Sequence, residues 1–114
     1  MSRRVLIVED DKEINNILQS FLEQKGYEVW TAFDGHAATG QIQEREYDLI
    51  LMDLMLPYKS GERLIKELRE HSRTPVIVLS AKTMMETRLE VLRLGADDYI
   101  LKPFDLEEVL VRME

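Results

Sequence analysis

The chain has 114 residues, 45% of them hydrophobic, with 15 Lys and Arg against 22 Asp and Glu (formal charge −7) and no cysteine. That length fits a single domain with a real core, and the missing cysteines exclude disulfides, thiolate metal sites and cysteine nucleophiles. The acidic balance argues against nucleic acid as a direct partner, and no apolar run reaches the roughly 20 residues of a membrane span.

The opening Met1-Ser2-Arg3-Arg4 leads into an apolar run too short for a signal peptide, so a cytoplasmic location is expected. That run, Val5–Val8, is the first predicted strand. Ile14, Ile17, Leu18, Phe21 and Leu22 then fall on one helical stripe, and Gly26 sits where a helix would stop. A second strand is predicted at Tyr27–Ala32, followed by a helix over Gly35–Arg45 that Gly40 interrupts. The third strand is Leu49–Met52. Ser60 reads as the N-cap of a helix carrying Leu64, Ile65 and Leu68. After the fourth strand, Val76–Leu79, residues Met85, Leu89 and Leu92 form another stripe that ends at Gly95. The fifth strand is Tyr99–Leu101, and Asp105-Leu106-Glu107-Glu108 comes close to a capping box. Five βα units predict an α/β fold with a parallel sheet, helices on both faces and right-handed crossovers. Sites in such folds form just beyond the carboxyl ends of the strands.

The predicted strands exit at Glu9-Asp10-Asp11, Asp53, Ser80 and Lys102-Pro103. Clustered carboxylates repel one another and persist together when a hard cation binds them. Oxygen ligands without His or Cys favour Mg²⁺, with Mn²⁺ as the alternative. A lysine and a hydroxyl opposite the metal can grip phosphate oxygens, so the inventory is that of phosphoryl transfer. A carboxylate can itself be the nucleophile, and Asp53 stands alone at the middle strand's end.

These residues resemble the receiver domain of bacterial two-component response regulators over essentially the whole chain. The resemblance is carried by Val8-Glu9-Asp10-Asp11, by Asp53-Leu54-Met55-Leu56-Pro57 with Gly61, by Ser80-Ala81-Lys82, and by the run from Gly95 to Phe104. It implies a flavodoxin-like, doubly wound sheet of five parallel strands in the order 2-1-3-4-5. It implies that Asp53 accepts a phosphoryl group from a sensor histidine kinase. Asp10, Asp53 and the backbone carbonyl of Met55 would ligate Mg²⁺, and Glu9 would act through a water. Ser80 and Lys102 would hold phosphate oxygens, and Lys102-Pro103 matches the family's cis peptide. Ser80 and Tyr99 would be the switch pair, with Tyr99 swinging inward. Asp11 reads mainly as the cap of the first helix.

The run around Gly95–Tyr99 is most similar to the OmpR/PhoB-type winged-helix transcriptional subfamily. That implies a homodimer through helix 4, strand 5 and helix 5, with Arg88, Asp97, Asp98, Glu108 and Arg112 at the interface. There Arg88 would pair with Glu108 and Asp98 with Arg112 across chains. It also implies that residues 1–114 are the receiver of a longer regulator with a C-terminal DNA-binding domain, this domain itself touching neither nucleic acid nor membrane. Plainer roles compete: Glu108 as a capping acid, Tyr99 as a strand aromatic, and the interface charges as solvated surface. Tyr58, where glycine is common, and Met84-Met85 depart from the family pattern. A phosphatase using an aspartyl phosphate is the enzyme alternative, but the position two residues after Asp53, where such enzymes want an acid, holds Met55. A flavin site is disfavoured by acids where a phosphate loop is needed. The expectation is therefore a regulatory phospho-acceptor that catalyses only its own phosphorylation and dephosphorylation.

Overall fold

In the computed structural model, which describes residues 3–82 and 85–114, strands and helices alternate from end to end. They are β1 (Arg4–Val8), α1 (Lys12–Gln24), β2 (Glu28–Ala32), α2 (Gly35–Glu44), β3 (Leu49–Asp53), α3 (Gly61–Arg69), β4 (Val76–Ser80), α4 (Met85–Leu94), β5 (Asp98–Leu101) and α5 (Leu106–Met113). The strands pair in parallel in the order β2-β1-β3-β4-β5, as expected. β3 and β4 are buried along their whole length, which is why they read as unbroken apolar runs.

The strand side chains divide by alternation into two cores. Val5, Ile7, Leu49, Leu51, Ile77, Leu79 and Ile100 pack with Leu18 and Leu22 of α1 and Val109 of α5. Leu6, Val8, Ile50, Met52, Val76 and Val78 pack with Ala38 of α2, Leu64, Ile65 and Leu68 of α3, and Val91 of α4. The helices thus cover both faces, two on one and three on the other.

Local chemistry sets the helix ends. Asp11, Asp34, Ser60 and Asp105 are N-caps, each side chain accepting a backbone N–H of the first turn. Gly26 has φ +94 and closes α1: its own N–H reaches the Glu23 carbonyl and the Tyr27 N–H the Leu22 carbonyl, the paired bonds of a left-handed stop. Gly95, at φ +119, ends α4 in the same way.

Two expected stripes need correction. On α1 the expected stripe holds for Leu18 and Leu22, which are buried, and for Ile14 and Phe21, which pack part-buried on the same core; of the five only Ile17 is exposed, and Asn15 takes a buried place beside them. On α4, Met85, Leu89 and Leu92 face outward, and Val91 is the buried side chain. The helix carries a second apolar line through Val91 and Leu94, and the sheet selects that one. Met84, expected at the start of this helix, lies outside the described residues. Glu108 reaches Arg112 one turn on (3.4 Å) instead of closing a capping box with Asp105.

Candidate functional site

Parallel pairing puts the exits of β1, β3, β4 and β5 along one edge of the sheet. Asp53 ends β3, Ser80 ends β4, Glu9 and Asp10 follow β1, and Lys102 follows β5. Residues up to 93 positions apart in sequence thereby meet: the Lys102 Nζ donates to Glu9 Oε1 and, at 3.2 Å, to Asp53 Oδ2. The Lys102-Pro103 peptide is cis, as the resemblance implied.

Glu9 and Asp53 are buried, and Asp10 is exposed at the mouth. One carboxylate oxygen from each lies within 4.8 Å of the others. Burial pushes the Glu9 carboxyl up to about 7, and the nearby Asp53 charge adds to this, against the bonds from Lys102 and the Asp11 N–H. Burial pulls the Lys102 ammonium down, but the Glu9 bond and the Asp53 charge outweigh it, so the lysine stays protonated. Three carboxylates against one ammonium leave the pocket short of positive charge. The donor set is oxygen only, with one acid at the mouth and two inside, and it fits Mg²⁺ or Mn²⁺. Lys102 bonds one oxygen of Glu9 and one of Asp53, and Asp10 stands at the mouth, so all three acids border the space a cation would take.

The remaining predicted residues fall as follows. Asp53 Oδ1 accepts the Met55 N–H at 3.3 Å, which holds the turn carrying the Met55 carbonyl beside the carboxylate. Ser80 is fully buried, and its Oγ accepts the Lys82 N–H at 3.1 Å. Tyr99 is buried rather than outward, with its hydroxyl donating to the Lys82 carbonyl at 2.8 Å. Asp11 is a cap, at 3.1 Å from the Ile14 N–H.

Four of the five expected interface charges are engaged within the chain. Asp98 pairs with Arg112 at 3.0 Å, and Arg112 also reaches Glu108. Asp97 Oδ2 accepts the Val76 N–H at 2.8 Å and Arg69 at 3.1 Å, so it fastens the start of β4 to the end of α3. Arg69 also donates to the Gly95 carbonyl through two nitrogens, at 2.8 and 3.0 Å. Arg88 is exposed on α4.

Sequence reasoning missed two supports of the site. Asn15 is fully buried, and its Nδ2 donates to the carbonyls of Glu9 (3.0 Å) and Ala32 (3.4 Å), fixing the exits of β1 and β2. Its spacing to Leu18 and Leu22 is the signal that could have found it. The Lys59 ammonium, mostly buried, bonds Thr39 Oγ1 at 2.8 Å and Glu67 at 2.9 Å, clasping the β3–α3 loop between α2 and α3. Nothing local in the sequence marks that contact.

A family model for the response regulator receiver domain matches residues 5–114. The Francisella response regulator 1452 receiver domain is 40% identical, with TM-score 0.94, over 98% of this chain and 93% of that one. The BeF3-activated N-terminal receiver domain of Klebsiella pneumoniae RstA is 31% identical, with TM-score 0.92, over 96% and 94% of the two chains. The receiver domain of sensor histidine kinase PA1611 from Pseudomonas aeruginosa PAO1, a structure with a magnesium ion coordinated in the active-site cleft, is 31% identical, with TM-score 0.89, over 99% and 95%. With its acid pocket, strand order and nearly full-length match agreeing, this chain belongs to the response regulator receiver domain family, the phospho-accepting switch of two-component systems.

Proposed function

We propose that Asp53 is the phospho-acceptor of this receiver and that a sensor histidine kinase is its donor. The observation that carries the reading is the meeting of Asp53 with Glu9, Asp10 and Lys102 at one end of the sheet. A carboxylate oxygen of Asp53 attacks phosphorus, a P–O bond forms, the P–N bond of the phosphohistidine breaks, and the imidazole leaves. Asp10, Asp53 and the Met55 carbonyl would hold the Mg²⁺ ion, which neutralises phosphate charge when bound. Lys102 is already bonded to Asp53 and pairs with a phosphoryl oxygen after transfer. The Ser80 hydroxyl turns from the Lys82 N–H to a second oxygen.

The output proposed for this switch is homodimerisation through α4, β5 and α5, coupled to a DNA-binding domain in a longer regulator. Leu89, Leu92, Leu101 and Val111 are exposed on these three elements, an apolar area suited to a partner copy. Forming the cross-chain pairs requires Arg112 to leave Asp98 and Glu108 of its own chain.

The test is intact-mass measurement after incubation with acetyl phosphate and Mg²⁺. One added phosphoryl group is expected, absent in Asp53→Asn and absent with chelator. Labelling that survives Asp53→Asn overturns the assignment. Sedimentation with beryllium fluoride tests the dimer, and a monomer at every concentration refutes that part.

A further inference from the structure

The β3–α3 loop contains a conformation that its sequence does not favour. Tyr58 has φ +69, and among the described residues it is the one non-glycine residue with positive φ. The Lys59 N–H donates to the Pro57 carbonyl at 2.8 Å, so Tyr58 is the central residue of a three-residue γ-turn of the rarer, positive-φ kind. A side chain there pays a steric cost that glycine does not.

The turn does not depend on the tyrosine. Its shape is set from both sides by other groups. The Gly61 N–H donates to the Leu54 carbonyl at 2.9 Å and the Gly35 N–H to the Pro57 carbonyl at 3.1 Å. Lys59 is clasped by Thr39 and Glu67. Glycine at 58 would satisfy every one of these contacts. Tyr58 is 87% exposed, so its side chain fills no gap in the fold either. A large apolar side chain is thus held out into water at a position where the backbone penalises it. Observed strain without an internal purpose points to a use outside the chain.

The neighbours say where that use lies. Met55, 64% exposed, and Pro57 line the same open mouth as Asp10. The hydrogen bond from Gly35 to Pro57 brings the β2–α2 loop alongside, with Phe33 exposed on it. Tyr58, next to Pro57 in the chain, therefore stands at the edge of the acid pocket's entrance, on the side where Met55, Leu56 and Pro57 are apolar and away from the charges of Glu62, Lys82 and Glu90 in the same mouth. Any protein that delivers a phosphoryl group to Asp53 must lay its surface over that entrance, whereas a small phosphodonor needs only the pocket.

We infer that Tyr58, with Phe33, Met55 and Pro57 around it, is a docking and specificity residue for the protein phosphodonor, its ring seating in an apolar depression beside the donor's phosphohistidine. This rests on Asp53 being the acceptor. Buried tyrosines are among the side chains that most often dominate protein interfaces.

The test compares two donors on Tyr58→Gly: acetyl phosphate, and the autophosphorylated kinase domain of a sensor histidine kinase that transfers to the wild-type chain. The expected result is a fall of about ten-fold or more in kcat/KM for the kinase domain, carried mainly by KM. The acetyl phosphate rate stays unchanged and the melting temperature is equal or higher. Tyr58→Phe should keep kinase transfer, and Tyr58→Asn, which tolerates positive φ, should lose it. Unchanged kinase transfer in Tyr58→Gly overturns the inference, and so does an equal slowing with both donors, which would make the turn a support of the pocket. A dimer of the wild-type chain that Tyr58→Gly abolishes, with transfer intact, would assign the rim to a second copy and also overturn it. Wild-type labelling at Asp53 by acetyl phosphate checks the underlying function separately.

Discussion

Two glycines five residues apart in α2 should respond to alanine with opposite signs. At Gly35 an added Cβ would lie 2.0 Å from the Lys59 carbonyl oxygen and 2.6 Å from the Lys59 Cβ. Real Cβ atoms essentially never come closer than 3.0 Å, so the loop or the helix must shift by roughly an ångström. That shift loosens the Gly35–Pro57 backbone bond, worth about 1 kcal/mol, and the Lys59 clasp, whose charged bonds are worth about 2 kcal/mol. Alanine's better helix propensity returns about 1 kcal/mol, for a net loss of about 2 kcal/mol. For a domain of this size that lowers the melting temperature by about 8 °C. At Gly40 nothing lies within 4 Å of the new Cβ, so only the propensity gain remains, about 1 kcal/mol or 4 °C upward. Thermal unfolding followed by circular dichroism checks both. The displaced loop also carries Met55, so Gly35→Ala should slow labelling by acetyl phosphate while Gly40→Ala does not. A Gly35→Ala protein that melts at or above wild type would refute the packing argument.

The acid pocket gives a pH dependence with a definite sign. Folded Glu9 holds its proton more tightly than the unfolded chain does, because burial raises it from 4.5 to about 7. Its stabilisation is therefore complete below the lower value and is lost as pH rises through the upper one, a fall of up to about 3 kcal/mol. Urea unfolding in chelator should show this slope in wild type and not in Glu9→Gln; a slope identical in both would sink it. Added Mg²⁺ competes with the proton and should flatten the wild-type curve. Asp97 and Asp98, adjacent in sequence, should separate sharply. Asp97→Ala strips Val76 N–H and Arg69 of an acceptor that joins β4 to α3 and should cost about 2 kcal/mol, while Asp98→Ala removes a partly exposed pair with Arg112 and a local acceptor for the adjacent Tyr99 N–H and should cost about 1 kcal/mol. Equal urea midpoints for the two variants would contradict that reading.

The strands were legible almost to the residue, because a strand covered on both faces must be apolar throughout and its ends are marked by the first polar groups. Glu9, Asp10, Asp53, Ser80 and Lys102 could be named for the same reason: in a parallel sheet the strand exits are neighbours wherever they fall in the sequence. What stayed hidden depends on which of several partners a side chain chooses. Glu9 is buried and takes Lys102 as its counter-ion, a pairing of residues 93 positions apart that nothing local in the sequence announces. Asp97 is reached by the long Arg69 side chain from α3, 28 positions away in sequence. The apolar line on α4 offered two faces, and only the sheet's position decides that Val91 goes in and Leu89 and Leu92 stay out.

That choice on α4 bears on how a pocket signal can leave the pocket. α3 is seated by Leu64, Ile65 and Leu68, whereas α4 buries Val91 alone and α5 Val109 alone. At about 1.5–3 kcal/mol for each large side chain withdrawn from water, reseating α4 is far cheaper than reseating α3. The C-terminal end is clamped by Arg69 on the Gly95 carbonyl, and ahead of the helix Lys82 is held by the Tyr99 hydroxyl and by an ion pair with Glu62 of α3 at 3.5 Å. Lys82 lies two residues after Ser80, whose hydroxyl its own N–H holds. A new contact drawing Ser80 toward a phosphoryl group would therefore pull on Lys82 and, through the Tyr99 hydroxyl, on β5, beside the thinly seated α4. One charge-assisted hydrogen bond, worth about 1.5–3 kcal/mol, is of the size needed to move it.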